Sequence, residues 1–295
     1  MALLLAALLT LSVPLWGIEH CLITYDGISG HLGLLKCKGL YSKSTYRVVL
    51  KNNSSERCFT YYHPKGVDYL PFAVPRWWSG NVYLYLYRDG YLLAKVPLRV
   101  EKLKVRASRI RLPLAKRTRK GKKEENTFGR KKWEPNRNGN ENTYPSVRKL
   151  LKTYTPVRFY EKRAILPLEH YKYITTPFGA ERYINGVYRG FHKGVDFAAP
   201  RGTPVRAILS GKVLYAGWMP LTGKTVILDH GWGLMSLYAH LSEVDVKRGQ
   251  SVRRGEVIGK VGSTGRSTGP HLHLGVYLND TAVDPLGVME LRLRP

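Results

Sequence analysis

His192, Asp196, His240, His271 and His273 are the residues of this sequence whose types and spacing could do chemistry together. They fall in three clusters: His192-Lys193-Gly194-Val195-Asp196, Tyr238-Ala239-His240-Leu241 and His271-Leu272-His273. Imidazole nitrogen and carboxylate oxygen are donors that zinc prefers. A catalytic zinc takes three protein ligands and leaves a fourth position open, so five candidates exceed one shell and imply acid/base partners beside a single ion. A site of two histidines and one carboxylate also suits iron, but the additional histidines favour zinc. An HxH pair alone also occurs as two packed, hydrogen-bonded neutral histidines. The HxxxD element and the further histidine tip the reading towards a metal centre.

The elements that must position these residues read as strands. Side chains alternate along a strand, so His271 and His273 share a face while Leu272 turns into the core. From Tyr173 onward short β-type runs dominate, over 194–198, 205–215, 225–229, 234–240, 257–261 and 272–278, with glycines in nearly every gap. Runs this short, without helical periods between them, argue for an antiparallel sheet and against a parallel α/β fold. In the first half, runs over 46–50, 81–87 and 91–100, with Asp89-Gly90 marking a hairpin, read as a small β-sandwich. The run Val82-Tyr83-Leu84-Tyr85-Leu86-Tyr87 alternates as a two-faced strand does. Packing is favoured over sugar binding as the job of its aromatics. Residues 115–142 are rich in Lys, Arg, Asn, Gly and Glu and read as a solvated tether. A short helix is expected over 146–152. The fold class is therefore all-β and mainly antiparallel: a leading segment over 1–17, an N-terminal β domain over 18–113, a basic linker over 114–155 and a C-terminal antiparallel sheet domain over 156–295.

With 48 Lys and Arg against 21 Asp and Glu, the net charge of +27 predicts attraction to a polyanion. No RNA- or DNA-binding motif is present, so nucleic acid is not the expected partner. The apolar run 1–16 is shorter than the roughly 20 residues of a spanning helix and suits the core of an export signal. No Lys or Arg precedes it and no small-x-small site is clear near Gly17, so a retained N-terminal membrane anchor is the alternative. Cys21, Cys37 and Cys58 follow; in an oxidising compartment one pair closes a disulfide and one thiol is left over. None belongs to a CxxC pair, so buried structural roles are expected.

Taken together, Thr176-Pro177-Phe178-Gly179, the stretch 192–200, Asp229-His230-Gly231, Tyr238-Ala239-His240-Leu241 and the stretch 262–273 resemble the lysostaphin-type zinc endopeptidases, the LytM domain family of peptidoglycan hydrolases. The resemblance covers residues 174–286. It implies that His192, Asp196 and His273 bind zinc and that His240 and His271 are the catalytic pair. It also implies an antiparallel β fold with the metal in a groove, and metal-assisted hydrolysis of cross-links or stem peptides of peptidoglycan. Export follows, to the periplasm or cell envelope with inner-membrane anchoring as the variant, where a basic surface holds the chain near anionic envelope polymers. Leu274, where an aromatic often follows HxH, and Ala180-Glu181 before Arg182 depart from the family and bear on substrate fit. Members that lack ligands and bind or activate another hydrolase are the alternative, a poorer one because no ligand is missing.

Three neighbouring features complete the reading. Gly223-Lys224-Thr225 ends a stretch like a phosphate-binding loop, but its first glycine is one residue too far away and no helix pattern follows, so a hairpin turn is expected. His230 is read as structural. The glycine-rich loop 262–269 lies just before HxH, where its backbone can approach an extended substrate at the groove edge.

Overall fold

The computed structural model describes residues 9–11, 21–37, 40, 43–62, 69–110, 146–160 and 163–291. The basic tether, and the leading segment apart from Leu9–Leu11, lie outside them. Leu9–Leu11 runs antiparallel to Cys21–Thr24. No helix among the described residues is long and apolar enough to cross a membrane.

Two four-stranded antiparallel sheets build the N-terminal unit. One orders Leu9–Leu11, Cys21–Thr24, Leu32–Cys37 and Tyr69–Ala73; the other orders Glu56–Tyr62, Thr45–Lys51, Gly80–Arg88 and Tyr91–Val100. Val82, Leu84 and Leu86 are buried in the core that the sheets share. Tyr83, Tyr85 and Tyr87, one residue out of phase, emerge on the opposite face. Strand alternation sends these tyrosines outward, where Tyr85 and Tyr87 stack on each other. Cys21 and Cys37 lie opposite each other in register and form the disulfide. Cys58 is free and exposed, so the buried role expected of it fails: it shares the outward phase of its strand, beside buried Phe59.

The C-terminal unit is built on an antiparallel sheet ordered Tyr173–Thr176, Val195–Ala198, His271–Leu278, Leu234–Leu241, Gly223–Asp229, Gly211–Met219 and Ser251–Val252, with Thr281–Val283 also pairing on His271–Leu278. A smaller sheet holds Pro204–Arg206, Val257–Lys260 and Glu243–Val244. The run 205–215 thus divides into two strands in different sheets. Between them Ala207 N donates to Glu256 O at 2.9 Å and Ile208 N to the Tyr238 hydroxyl at 2.9 Å, so the chain changes sheets without leaving the core. The run reads as one strand because Ala207, Ile208 and Leu209 are as apolar and as buried as the strands they join. Met219 pairs with Gly223 across the expected hairpin turn. The expected helix forms over Val147–Leu151 and buries Leu151.

The two units share one apolar core. Tyr61 meets the Trp232 ring edge-on at 5.4 Å between centroids, and buried Arg76 donates to Gly179 O at 3.2 Å. Asp284 N donates to Gly30 O at 2.8 Å, and the Asp284 side chain caps the helix Pro285–Glu290. His31 lies between two carboxylates, 2.5 Å from Asp26 and 3.6 Å from Asp284. Burial opposes its protonation, but these two partners outweigh it and push the imidazole up to about 9.

His230 is structural, as expected. It is fully buried and lies 2.9 Å from Ser210 O through Nδ1 and 2.7 Å from Ser236 Oγ through Nε2. The Ser210 carbonyl can only accept, so Nδ1 donates to it. Burial holds the ring down at about 4. Because the folded value lies below the unfolded one of about 6.5, the stability this neutral ring confers is present above pH 6.5 and is lost as pH falls towards 4, about 3 kcal/mol in all. Urea midpoints of the wild type and His230→Gln between pH 7.5 and 4 should show a steeper acid-side decline in the wild type. Parallel curves would rule this linkage out.

Candidate metal centre and proton carriers

Each of the five residues owes its place to a local backbone feature. Val195–Ala198 pairs with His271–Leu278 so that Asp196 stands opposite His273 and Ala198 opposite His271. On the far side of His273 stands Ala239, whose small side chain leaves room above the sheet. Gly194 lets the chain enter this strand: a Cβ there would lie 2.2 Å from Leu274 O and 2.8 Å from His273 Cε1, so only glycine fits between the two ligand segments. His192 is held by its backbone, with its N–H donating to Ala180 O and its carbonyl accepting from Gly179 N, both at 2.8 Å.

Three donor atoms converge. His273 Nδ1 is 2.7 Å from Asp196 Oδ1, His192 Nε2 is 2.9 Å from His273 Nδ1, and His192 Nε2 is 3.1 Å from Asp196 Oδ1. Tetrahedral zinc with bonds of about 2.0–2.1 Å would set its ligand atoms about 3.3 Å apart, close to this triangle. The outward nitrogen of His192, Nδ1, lies 3.1 Å from Pro177 O and donates to it, which fixes the tautomer and leaves the Nε2 lone pair facing inward. Convergent lone pairs and a carboxylate in a buried cluster are stabilised by a cation, so the donor set fits zinc.

The electrostatics agree. Burial disfavours the Asp196 carboxylate, but hydrogen bonds and charge from His192 and His273 overcome this and hold it well below the usual carboxylate range. Burial lowers His273 and the Asp196 carboxylate opposes that; His192 and Arg182 add to the lowering, which favours the neutral imidazole that binds metal. Arg182, on the strand Glu181–Ile184, places Nη2 4.0 Å from Asp196 Oδ2, the oxygen turned away from the donor triangle.

His240 and His271 stand beside this cluster, with ring centroids 4.7 Å apart, and His240 is 6.2 Å from His273. His240 sits where the pairing of Gly223–Asp229 with Leu234–Leu241 shifts register, and its φ is +62°. A bulge with left-handed backbone re-aims a side chain that a regular strand would send elsewhere, at a cost of order 1–3 kcal/mol for a non-glycine residue. Its Nδ1 donates to Thr264 O at 2.7 Å, and His271 Nδ1 donates to Gly269 O at 2.8 Å with Ser267 Oγ at 3.3 Å. In both rings Nε2 is therefore the nitrogen left for substrate. Burial lowers His240 to about 4, with the Thr264 carbonyl opposing, so the ring is a neutral acceptor at pH 7.

All five sequence-derived residues thus meet in one site. What the sequence reading missed is the supporting set. The loop 262–269 reads as a substrate edge, yet two of its carbonyls orient His240 and His271. Gly223, at φ +65°, brings the preceding turn against that loop, where a Cβ would lie 2.3 Å from Thr264 Oγ1. Arg182 and the Pro177 carbonyl carried no spacing signal, because each acts across the fold.

Residues 190–285 match Peptidase family M23. Over 119 residues the chain is 47% identical to the DD-carboxypeptidase/endopeptidase Mpg of Neisseria meningitidis serogroup B, covering 40% of this chain and 27% of that protein. Over 115 residues it is 43% identical to lysostaphin of Staphylococcus simulans, covering 37% of this chain and 23% of that protein. The chain thus spans about a quarter of the length of these curated relatives. Across 90% of its length it superposes on 95% of a Pseudomonas aeruginosa protein solved as a candidate M23 peptidase, with a TM-score of 0.57 and 24% identity, a likeness of fold.

Proposed function

We propose, from the match of residues 190–285 to Peptidase family M23, that this chain is an exported zinc metalloendopeptidase that hydrolyses peptide cross-links or stem peptides of bacterial peptidoglycan. The observation that carries the reading is the convergence of His192 Nε2, Asp196 Oδ1 and His273 Nδ1 beside two histidines whose Nε2 atoms are left free. Zinc in that triangle would supply Lewis acidity and an acidified water. The chain's own residues supply the remainder. Neutral His240 accepts a proton through Nε2 while Thr264 O holds its other nitrogen. Once it has taken up a proton at Nε2, His271, oriented by Gly269 O, hydrogen-bonds the developing oxyanion or passes that proton to the leaving amine. Arg182 holds the outer oxygen of Asp196 by charge and keeps the inner one directed at the donor triangle. Export to the periplasm or envelope rests on the apolar run 1–16.

The test is digestion of purified peptidoglycan by the zinc-supplied full chain, with mass spectrometry of the products. New amino and carboxyl ends within peptides are expected. New reducing sugar ends without peptide cleavage, or no products, would refute the proposal.

A further inference from the structure

The outer face of the sheet formed by Glu56–Tyr62, Thr45–Lys51, Gly80–Arg88 and Tyr91–Val100 carries a pattern that the metal centre does not use. Tyr83, Tyr85 and Tyr87 take alternate positions on a central strand, so they leave one face about 6.8 Å apart. The rings of Tyr85 and Tyr87 are nearly parallel, at 21° and 6.4 Å between centroids. Register sets Lys51 beside Tyr83, Lys95 beside Tyr85 and Arg47 beside Tyr87. Lys95 Nζ reaches 4.8 Å from the Tyr83 ring and 5.6 Å from that of Tyr85; Lys51 Nζ lies 5.7 Å from Tyr85, and the Arg47 guanidinium 5.2 Å from Tyr87. Cations and rings thus alternate across the face. Glu56 is the single acid of these four strands, 3.0 Å from Lys51.

A merely solvated face mixes both signs of charge. This one does not. The 115–142 tether has the same sign, so charge disfavours it as a cover. A polymer bearing both anionic groups and sugar rings is complementary: ammonium and guanidinium groups meet its carboxylates or phosphates, while the tyrosine hydroxyls meet its hydroxyls. Nucleic acid would instead need open ring faces for its bases, and Lys95, Lys51 and Arg47 lie over those faces. We infer that this face binds anionic polysaccharide of the bacterial envelope. The inference rests on the proposed action on peptidoglycan, which places the chain among such polymers.

The test compares the full chain with the triple variant Arg47→Gln, Lys51→Gln, Lys95→Gln and with the double variant Tyr83→Thr, Tyr87→Thr. Binding is measured to polygalacturonate, neutral dextran, inorganic polyphosphate and a single-stranded DNA oligonucleotide over a salt series. Hydrolysis of peptidoglycan stripped of attached anionic polymer is followed in parallel. The wild type should bind polygalacturonate and not dextran. The triple variant should bind it at least about tenfold more weakly, with a shallower salt dependence. The tyrosine variant should weaken polygalacturonate binding and leave polyphosphate binding intact. Both variants should retain wild-type hydrolysis, which shows that they fold. Undiminished polygalacturonate binding by either variant, or tighter binding of DNA than of polygalacturonate, would overturn the inference. If instead the wild type binds the polymer but hydrolyses nothing, the peptidase reading fails and the surface stands.

Discussion

His273→Ala should remove the bound zinc and lower peptidoglycan hydrolysis by about a thousandfold or more, while the protein still folds. The size follows from the several kcal/mol of charge stabilisation that a catalytic metal provides, at about 1.4 kcal/mol per factor of ten. His273 Nδ1 makes the two shortest edges of the donor triangle, 2.7 Å to Asp196 Oδ1 and 2.9 Å to His192 Nε2. Its loss opens two edges of the triangle at once. Metal content by mass spectrometry, turnover of purified peptidoglycan and circular dichroism read the three parts separately. Full hydrolysis by a folded, zinc-free variant would sink the ligand assignment. A wild-type protein that neither carries zinc nor gains it when supplied would replace the enzyme with the binding or activating protein.

The second large effect separates metal binding from proton transfer. His240→Ala and His271→Ala should each keep zinc near one ion per chain and lose about 10²–10⁴-fold in kcat, the usual range for a positioned acid or base. Neither imidazole is an edge of the donor triangle, and each has its Nδ1 committed to a backbone carbonyl. Because the two rings stand 4.7 Å apart, they are expected to act as a unit. The double variant should then fall little further than the worse single one. Loss of zinc in His271→Ala, or kcat within tenfold of the wild type in both, would assign the ligands differently.

How much of this was legible beforehand depends on the range over which each residue acts. The all-β class and the shared face of His271 and His273 follow from alternation along one strand, a purely local rule. The five site residues could be gathered because their types are rare and their clusters short. The supporting contacts could not. Pro177 to His192 and Thr264 to His240 are backbone carbonyls, which every residue possesses, and only the fold decides which of them faces an imidazole. His240 itself is a local exception: a strand reading predicts its phase from Tyr238 and Leu241, but the bulge and left-handed φ overturn that phase. The alternation of Val82, Leu84 and Leu86 with Tyr83, Tyr85 and Tyr87 marks the two faces of that strand, but which cations lie over the tyrosine rings depends on the neighbouring strands and is not legible locally.

Arg76 on Gly179, Tyr61 on Trp232 and His31 between Asp26 and Asp284 make the two units one lever. Gly179 in turn binds the carbonyl of His192. A displacement of the N-terminal sheets is therefore carried through packed side chains to the backbone that holds His192. A grip on that unit is thereby a grip on the orientation of the His192, Asp196 and His273 cluster.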